Sequence, residues 1–326
     1  LDERLGLTGF VSPQAGKLLT LAGASWSFDR AAQLLAEFCG LHTCDQTIRH
    51  VCYAEAGLLA DWLHSTKAAG TGFAAADGEI EFQTDGTMVN TWEGWREMRL
   101  GVFAKRPRGK PTTTDAWDHR PLPAPCARVL FGGIETAAHF GPRMRRWAGR
   151  LGIRDPAAVT VLADGAEWIW KQAAVQLPGA AGLLDIYHAC AHLSACGQQL
   201  YGEGTDAART WLEQMRSALL HGGWPALAAR TGAVRRQVRA RAKRRALDEL
   251  EGYFYRQREH LGYAGRLASG QSIGSGLVEG SCKQVIGRRL KQTGARWRIR
   301  RANRMATLCC TLHGDTWKPY WEQRLD

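Results

Sequence analysis

Three acidic positions stand out among the 326 residues because of what surrounds them. Asp85 in FQTDGTMV and Asp164 in VLADGAEW each follow a strand-like run and precede a glycine. Glu279, in QSIGSGLVEGSCKQVIGRRLK, is the one carboxylate between His260 and Gly314, a stretch otherwise rich in Arg and Lys. Carboxylates at strand ends are the oxygen ligands that Mg²⁺ prefers, and phosphoryl transfer on DNA uses paired ions to stabilise both the attacking and the leaving oxygen. Each position also has a plainer reading. Strand-end Asp-Gly is a common turn, and Glu279 can pair with Lys283 one helical turn on. Glu167 competes as third ligand or serves the first turn of its own helix. Small residues before Glu279 let a backbone or a nucleic acid approach closely, which the ion-pair reading does not explain.

A second set of chemistry-bearing residues, His188, His192 and Cys196, is spaced four apart on a helical pattern. The spacing suits zinc, but such a stripe is also an ordinary core and hydrogen-bonding face. The nine cysteines form no Cys-x-x-Cys pair and are dispersed along the chain, so they read as reduced thiols of an intracellular protein.

The carboxylates sit in a basic field. Lys and Arg number 43 against 31 Asp and Glu, a net charge of +12 with a pI near 9.5. Most of the excess lies in three blocks, Arg143–Arg154, Arg230–Arg245 and Lys283–Arg304. Arg dominates them, and its planar fork binds phosphate oxygens in pairs, so a polyanion is the expected partner. In the third block Lys283, Arg288, Arg289, Lys291, Arg296, Arg298, Arg300 and Arg301 are the candidate DNA-binding residues, with Trp297 as a candidate base-stacking platform or a core residue. Hydrophobic residues at 45% and charged residues at 23% exclude a disordered tail, a collagen-like repeat or a coiled-coil rod. No apolar stretch reaches the 18 or more residues of a bilayer span, which excludes a membrane partner of that kind.

Positioning these groups requires a sheet. Ser27 and Asp29 can cap a helix that Gly40 ends, and a second helical period runs over Thr43–Trp62, a pair that fits a helix-turn-helix or two packed helices with no DNA role. Strand patterns follow over Glu79–Asn90, Arg96–Arg106 and Arg128–Ile134, with a Pro- and Thr-rich loop at Pro107–Pro125. A helix is expected after Gly141-Pro142, then buried strands at Val159–Ala163 and Ala180–Ile186 with a helix between them, then helices to about Tyr263. The order β-β-β-α-β-α-β predicts an α/β fold with a mixed sheet covered by helices.

FQTDGTMVNTWEGWREMRLGVF, VTVLADGAEWIWKQA, LLDIYHACAHL and IGSGLVEGSCKQVIGRRLKQTGARWRIRRANRM together resemble the catalytic core of the ISKra group of bacterial insertion-sequence transposases, relatives of the Mutator-like group. The resemblance covers nearly the whole chain. It implies an RNase H-like fold with an all-α insertion, and a metal-binding catalytic triad of Asp85, Asp164 and Glu279 holding two Mg²⁺ or Mn²⁺ ions, with Asp85 bridging them. Asp185 and His188 match the family's Asp-x-x-His signature and would support the site. The implied layout is a helical front segment at 1–76, a first core part at 77–195, a helical insertion at 196–268, and a catalytic helix with the basic C-terminal part at 269–326. The implied activity is DNA strand cleavage and strand transfer, carried out on transposon ends and target DNA by a homo-oligomer in the bacterial cytoplasm at the nucleoid. Family members carry a Cys-rich segment before the stretch matching LDERLGL. The opening Leu1 and the lack of a signal pattern fit a piece of such a longer chain. Two other classes share these features: an inactive transposase-derived DNA-binding protein, and an RNase H-like structure-specific nuclease. A generic basic structural protein leaves the three carboxylates unconnected.

Overall fold

A computed structural model describes residues 11–325. Four helices come first, α1 (Pro13–Ser25), α2 (Phe28–Cys39), α3 (Asp45–Ser65) and α4 (Ala68–Ala75). Ser27 caps α2 by accepting from the Arg30 N–H at 3.3 Å. Gly40 ends the helix in the left-handed conformation at φ 60°, where a side chain would be strained. The expected helix pair is therefore present. Its second member, α3, is wedged between α1, α2 and a late helix over Ile299–His313, and its one Arg or Lys side chain, the half-buried Arg49, lines a surface pocket together with Arg296, Arg298 and Arg301.

The sheet follows: β1 (Glu79–Thr91), β2 (Gly94–Arg106), β3 (Ala127–Gly133), α5 (Ala137–Arg150), β4 (Val159–Ala163), α6 (Glu167–Gln176) and β5 (Ala181–Leu184). The strands lie in the order β3-β2-β1-β4-β5, with β2 antiparallel to both neighbours and β1, β4 and β5 parallel. The fold is thus α/β, an open five-stranded mixed sheet flanked by helices, as the alternation of patterns predicts. One expected boundary moves. α5 begins at Ala137, ahead of Gly141-Pro142, and holds Pro142 in its second turn. The proline has no N–H to give the carbonyl of Ala138, an exposed residue that can bond water instead.

Helices complete the chain: α7 (Ile186–Tyr201), α8 (Asp206–Gln237, kinked at Gly223), α9 (Arg241–Arg256), α10 (Tyr263–Ala268), α11 (Gly276–Ser281), a π-helical turn (Cys282–Gly287), α12 (Arg288–Leu290), α13 (Ile299–His313) and α14 (Trp317–Leu325). Two apolar cores result. One joins the front helices, α5, α13 and the rings of Phe82, Phe103, Phe131 and Phe140. The other packs α7, α8 and α9 around Leu162, Leu183 and Leu184 of the sheet. Both the front helices and the segment expected as an insertion thus share a core with the sheet, and α7 runs unbroken through residue 196, where the insertion is expected to begin. No helix among the described residues is long and apolar enough to cross a membrane.

Candidate metal centre

Strand register does most of the positioning. β1 and β4 pair Phe82 with Val161 and Gln83 with Leu162, and β4 and β5 pair Leu162 with Leu183 and Ala163 with Leu184. Carried two residues past Gln83, the first register sets Asp85 level with Asp164. Carried one residue past Ala163, the second sets Asp164 level with Asp185, and the Asp185 N–H continues the ladder by donating to the Ala163 carbonyl at 2.8 Å. Pairing itself stops at Gln83–Leu162 and Ala163–Leu184, so Asp164 and Asp185 lie just beyond their strands, and their nearness to Asp85 shows in the charges: Asp164 acts on Asp85, and both act on His188. Three aspartates therefore form a row at the carboxyl ends of β4 and β5 and midway along the longer β1. Ligand sites in open α/β sheets lie at such strand ends.

Two further groups close on this row. Asp185 is fully buried and caps α7, accepting from the His188 N–H at 2.7 Å. Its second oxygen accepts from the Ser275 N–H and, at 2.8 Å, from the Ser275 hydroxyl. This anchors the segment Ser272–Ser275 at the start of α11, and Gln83 of β1 draws the same helix in by accepting from the Val278 N–H at 3.1 Å. Gln83 is itself held, donating to Glu81 at 3.1 Å, and Glu81 pairs with the buried Arg106 at 3.2 Å. The outcome is that ligand atoms of Asp185, His188 and Glu279 lie within 4.8 Å of one another.

The Asp164 turn is pinned from the other side. Tyr253 and Gln257, at the end of α9, donate to the carbonyls of Asp164 and Gly165 at 3.1 and 2.8 Å. Gly165 has φ +91°, and a Cβ there would meet Leu184 at 2.8 Å and the Tyr253 hydroxyl at 2.9 Å. Only glycine fits, for reasons of conformation and space.

The charges of the group are mutually felt. Burial raises the Asp85 carboxyl above its ordinary value, with Asp164 and Glu279 adding to the rise and the Gly86 N–H and His188 opposing it. Asp185 shows the reverse balance. Burial pushes it up, but His188 and the amide and hydroxyl of Ser275 overcome this and hold it low, so it is a carboxylate. The Asp185 carboxylate, 3.7 Å from Nδ1, raises the His188 imidazole, burial opposes, and Asp164 and Asp85 add to the rise. Cys282, on the π-helical turn, is pushed up to about 12 by burial and then by Asp85, so it stays an unreactive thiol.

The close group differs from the expected one. Glu279 is present in it, but its partners are Asp185 and His188, which the sequence placed in a supporting role, while Asp85 and Asp164 stand in the same row outside the 4.8 Å group. The rival Glu167 is exposed and paired with Lys171 at 2.6 Å. The zinc stripe does not converge either. His192 stacks on Tyr253 with ring centroids 3.7 Å apart, and Cys196 is buried against the Ala246 carbonyl. All nine cysteines are free thiols.

The basic face also sorts differently. Lys283, Arg288, Lys291, Arg296, Arg298, Arg300 and Arg301 are exposed, and none is within ion-pair distance of a carboxylate among the described residues. Lys291 reaches back to the Thr87 hydroxyl on β1, two residues from Asp85. Arg289 is a correction: it is 3% exposed, donates to the Gly23 carbonyl at 2.7 Å and lies between the rings of Phe28 and Trp297, so it cements the front helices to the core and cannot clamp phosphate. Trp297 is a second correction, since it is 8% exposed and its indole N–H is spent on the Leu290 carbonyl at 3.0 Å. The other two basic blocks are partly neutralised. Arg143 pairs with Glu135, and Arg235 pairs with Asp248 and Glu251 across α8 and α9. No known family model matches the chain, and no curated protein is significantly similar to it.

Proposed function

We propose that this chain is a metal-dependent DNA transposase of the ISKra type, a strand-cleaving and strand-transferring enzyme with an RNase H-like core. The observation that carries the reading is the row of Asp85 on β1 with Asp164 and Asp185 just past the ends of the parallel strands β4 and β5, with Glu279 and His188 drawn against it and unpaired Arg and Lys along the chain that follows. The strand order β3-β2-β1-β4-β5 with β2 reversed fits the RNase H-like reading. Double-stranded DNA, as transposon end and as target, is the proposed partner, engaged by a homo-oligomer in the bacterial nucleoid.

The donor set suits divalent ions. The Glu279 carboxylate has no hydrogen-bond or ion-pair partner among the described residues, so it is free to ligate, and Asp185 is fixed and ionised. Asp185, His188 and Glu279 would hold one ion and Asp85 with Asp164 would share a second, supplying Lewis acidity to the phosphate oxygens and a nucleophile at neutral pH. An imidazole among the donors favours Mn²⁺ over Mg²⁺, which prefers oxygen ligands alone. Among the protein's own groups, Asp185 orients His188 and ties α11 to β5, and Gln83 sets the depth of Glu279 against β1. Lys291 and Arg288 draw the DNA backbone towards the carboxylate row.

Nicking of supercoiled plasmid and strand transfer of an end-bearing duplex, each with Mn²⁺ or Mg²⁺, test this. Asp85→Asn, Asp164→Asn and Glu279→Gln are each expected to lower cleavage by at least about a hundredfold while leaving DNA binding. A wild-type protein that binds DNA but neither cleaves nor joins it refutes the reading in favour of an inactive DNA-binding protein. Cleavage without joining replaces it with a structure-specific nuclease.

A further inference from the structure

The β1–β2 hairpin extends well beyond the sheet. β4 pairs with β1 only over Ile80–Gln83, and β3 pairs with β2 only over Arg99–Lys105, so the distal half of the hairpin stands as a two-stranded arm. At its tip Trp92 and Trp95 are 65% and 61% exposed, an unusual state for the largest apolar side chain. The tip is nevertheless held firmly. The Trp92 N–H donates to the Trp297 carbonyl at 2.9 Å, and the Trp297 N–H donates to the Asn90 carbonyl at 3.1 Å. The Thr91 hydroxyl closes the turn on the Gly94 carbonyl at 2.5 Å. The segment that braces the arm is the acid-free basic stretch, and Arg296 lies over the Trp92 ring, 5.1 Å from its centroid.

We infer that this arm is a nucleic-acid wedge whose two exposed indoles stack on unpaired bases, while Arg296, Arg298 and Arg300 hold the flanking phosphates. The inference rests on the DNA-processing reading above and names the form of DNA it takes, a locally opened duplex. Flat aromatic faces accept any base, and a guanidinium beside them adds charge and further stacking. Apolar side chains on a basic surface are also what partly unstacks and kinks a duplex, and the one exposed carboxylate of the turn, Glu93, is outnumbered by the exposed Arg96, Arg296, Arg298 and Arg300. A docking protein could use the indoles, but it would need many carboxylates to answer an array of arginines that lacks acidic partners among the described residues, and DNA supplies that charge at regular spacing. The role assigned from sequence to the buried Trp297 thus passes to Trp92, which Trp297 positions through two backbone hydrogen bonds.

Fluorescence anisotropy in EDTA with the full chain tests the wedge apart from the chemistry. The probes are a short duplex, the same duplex with a central unpaired bubble, the single strand, and anionic phosphatidylserine vesicles. Wild-type protein is expected to prefer the bubble to the perfect duplex. Trp92→Ala combined with Trp95→Ala, both at exposed positions, is expected to lower bubble and single-strand affinity by about tenfold and duplex affinity by less than about twofold. Arg296→Gln should weaken binding of all three DNA probes and flatten their salt dependence. An unchanged circular dichroism spectrum and melting temperature shows that the double variant is folded. Bubble affinity unchanged in the double variant, or lost in equal measure with duplex affinity, overturns the wedge. Loss of vesicle binding with DNA binding intact overturns it in favour of a membrane surface. A wild-type protein that binds none of the DNA probes overturns the DNA reading itself, an outcome distinct from failure of the tip alone.

Discussion

Asp185 and Glu279 belong to one close group but are supported in opposite ways, and this makes their variants separable. Asp185 is fully buried and accepts three hydrogen bonds, from the His188 N–H and from the Ser275 N–H and hydroxyl. Asp185→Asn keeps one oxygen for the His188 N–H but turns an amide donor towards the Ser275 N–H. One charge-assisted bond is lost and one buried donor is stranded, a cost of about 2–3 kcal/mol. At about 2 °C per kcal/mol for a chain of this size, the melting temperature should fall by about 5 °C without metal. Glu279→Gln breaks no bond within the described fold, so its metal-free stability should stay within about 0.5 kcal/mol of wild type. Mn²⁺ at a hundred times its dissociation constant should stabilise wild type by about 2.7 kcal/mol, and both variants should lose most of that gain. Thermal unfolding followed by circular dichroism, with and without Mn²⁺, reads both quantities. A full Mn²⁺ shift retained by either variant refutes the ligand set. A metal-free loss in Glu279→Gln as large as in Asp185→Asn refutes the division of roles.

Further outcomes follow from the same geometry. His188 must be neutral to ligate, and its imidazole is raised above 6.5 chiefly by Asp185, so protons compete with metal near neutrality. Mn²⁺ affinity measured by calorimetry should rise between about pH 6 and about pH 8, and a pH-independent affinity would exclude His188 as a ligand. In the metal-free protein the same raised value contributes stability below pH 6.5 that fades as pH rises through the folded value. On the basic face, Arg288→Gln with Lys291→Gln should reduce the slope of log affinity for DNA against log salt by about 0.9 per lost contact. Arg289→Ala should leave that slope alone and destabilise the fold by about 2–4 kcal/mol through lost packing and the lost Gly23 bond. Equal slopes in wild type and the Arg288/Lys291 variant would remove the phosphate-clamp role.

Much of the frame is legible in the chain itself. The alternation over Glu79–Asn90 and Arg96–Arg106, the apolar run of Val159–Ala163, and the capping residues Ser27 and Gly40 report local conformation, because side-chain period and terminal hydrogen bonding are properties of short segments. The Asp-Gly pairs at Asp85 and Asp164 mark strand-associated carboxylates, and the lone Glu279 in a basic stretch marks the third acid. The Asp164 turn carries a further signal, since a glycine at residue 165 is required by both its positive φ and its crowded Cβ position.

What the tertiary structure decided is which of these groups meet. Register between β1, β4 and β5 set Asp85, Asp164 and Asp185 in one row, and register depends on how strands slide together, which no single strand encodes. Burial separated Arg289 from its exposed neighbours Arg288 and Lys291, although all three have the same sequence character, because the π-helical turn ahead of them and the packing of α1 and α2 choose which face is covered. The same choice buried Trp297 and left Trp92 and Trp95 in solvent at a hairpin tip. Residue type and short-range spacing thus established a basic α/β protein with acids on or beside its strands, Asp164 at the end of β4 and Asp85, read as a strand-end turn, in the middle of β1. The partners of each acid, and which cations and indoles are free to meet a ligand, were fixed by long-range contacts that form only when the chain closes on itself.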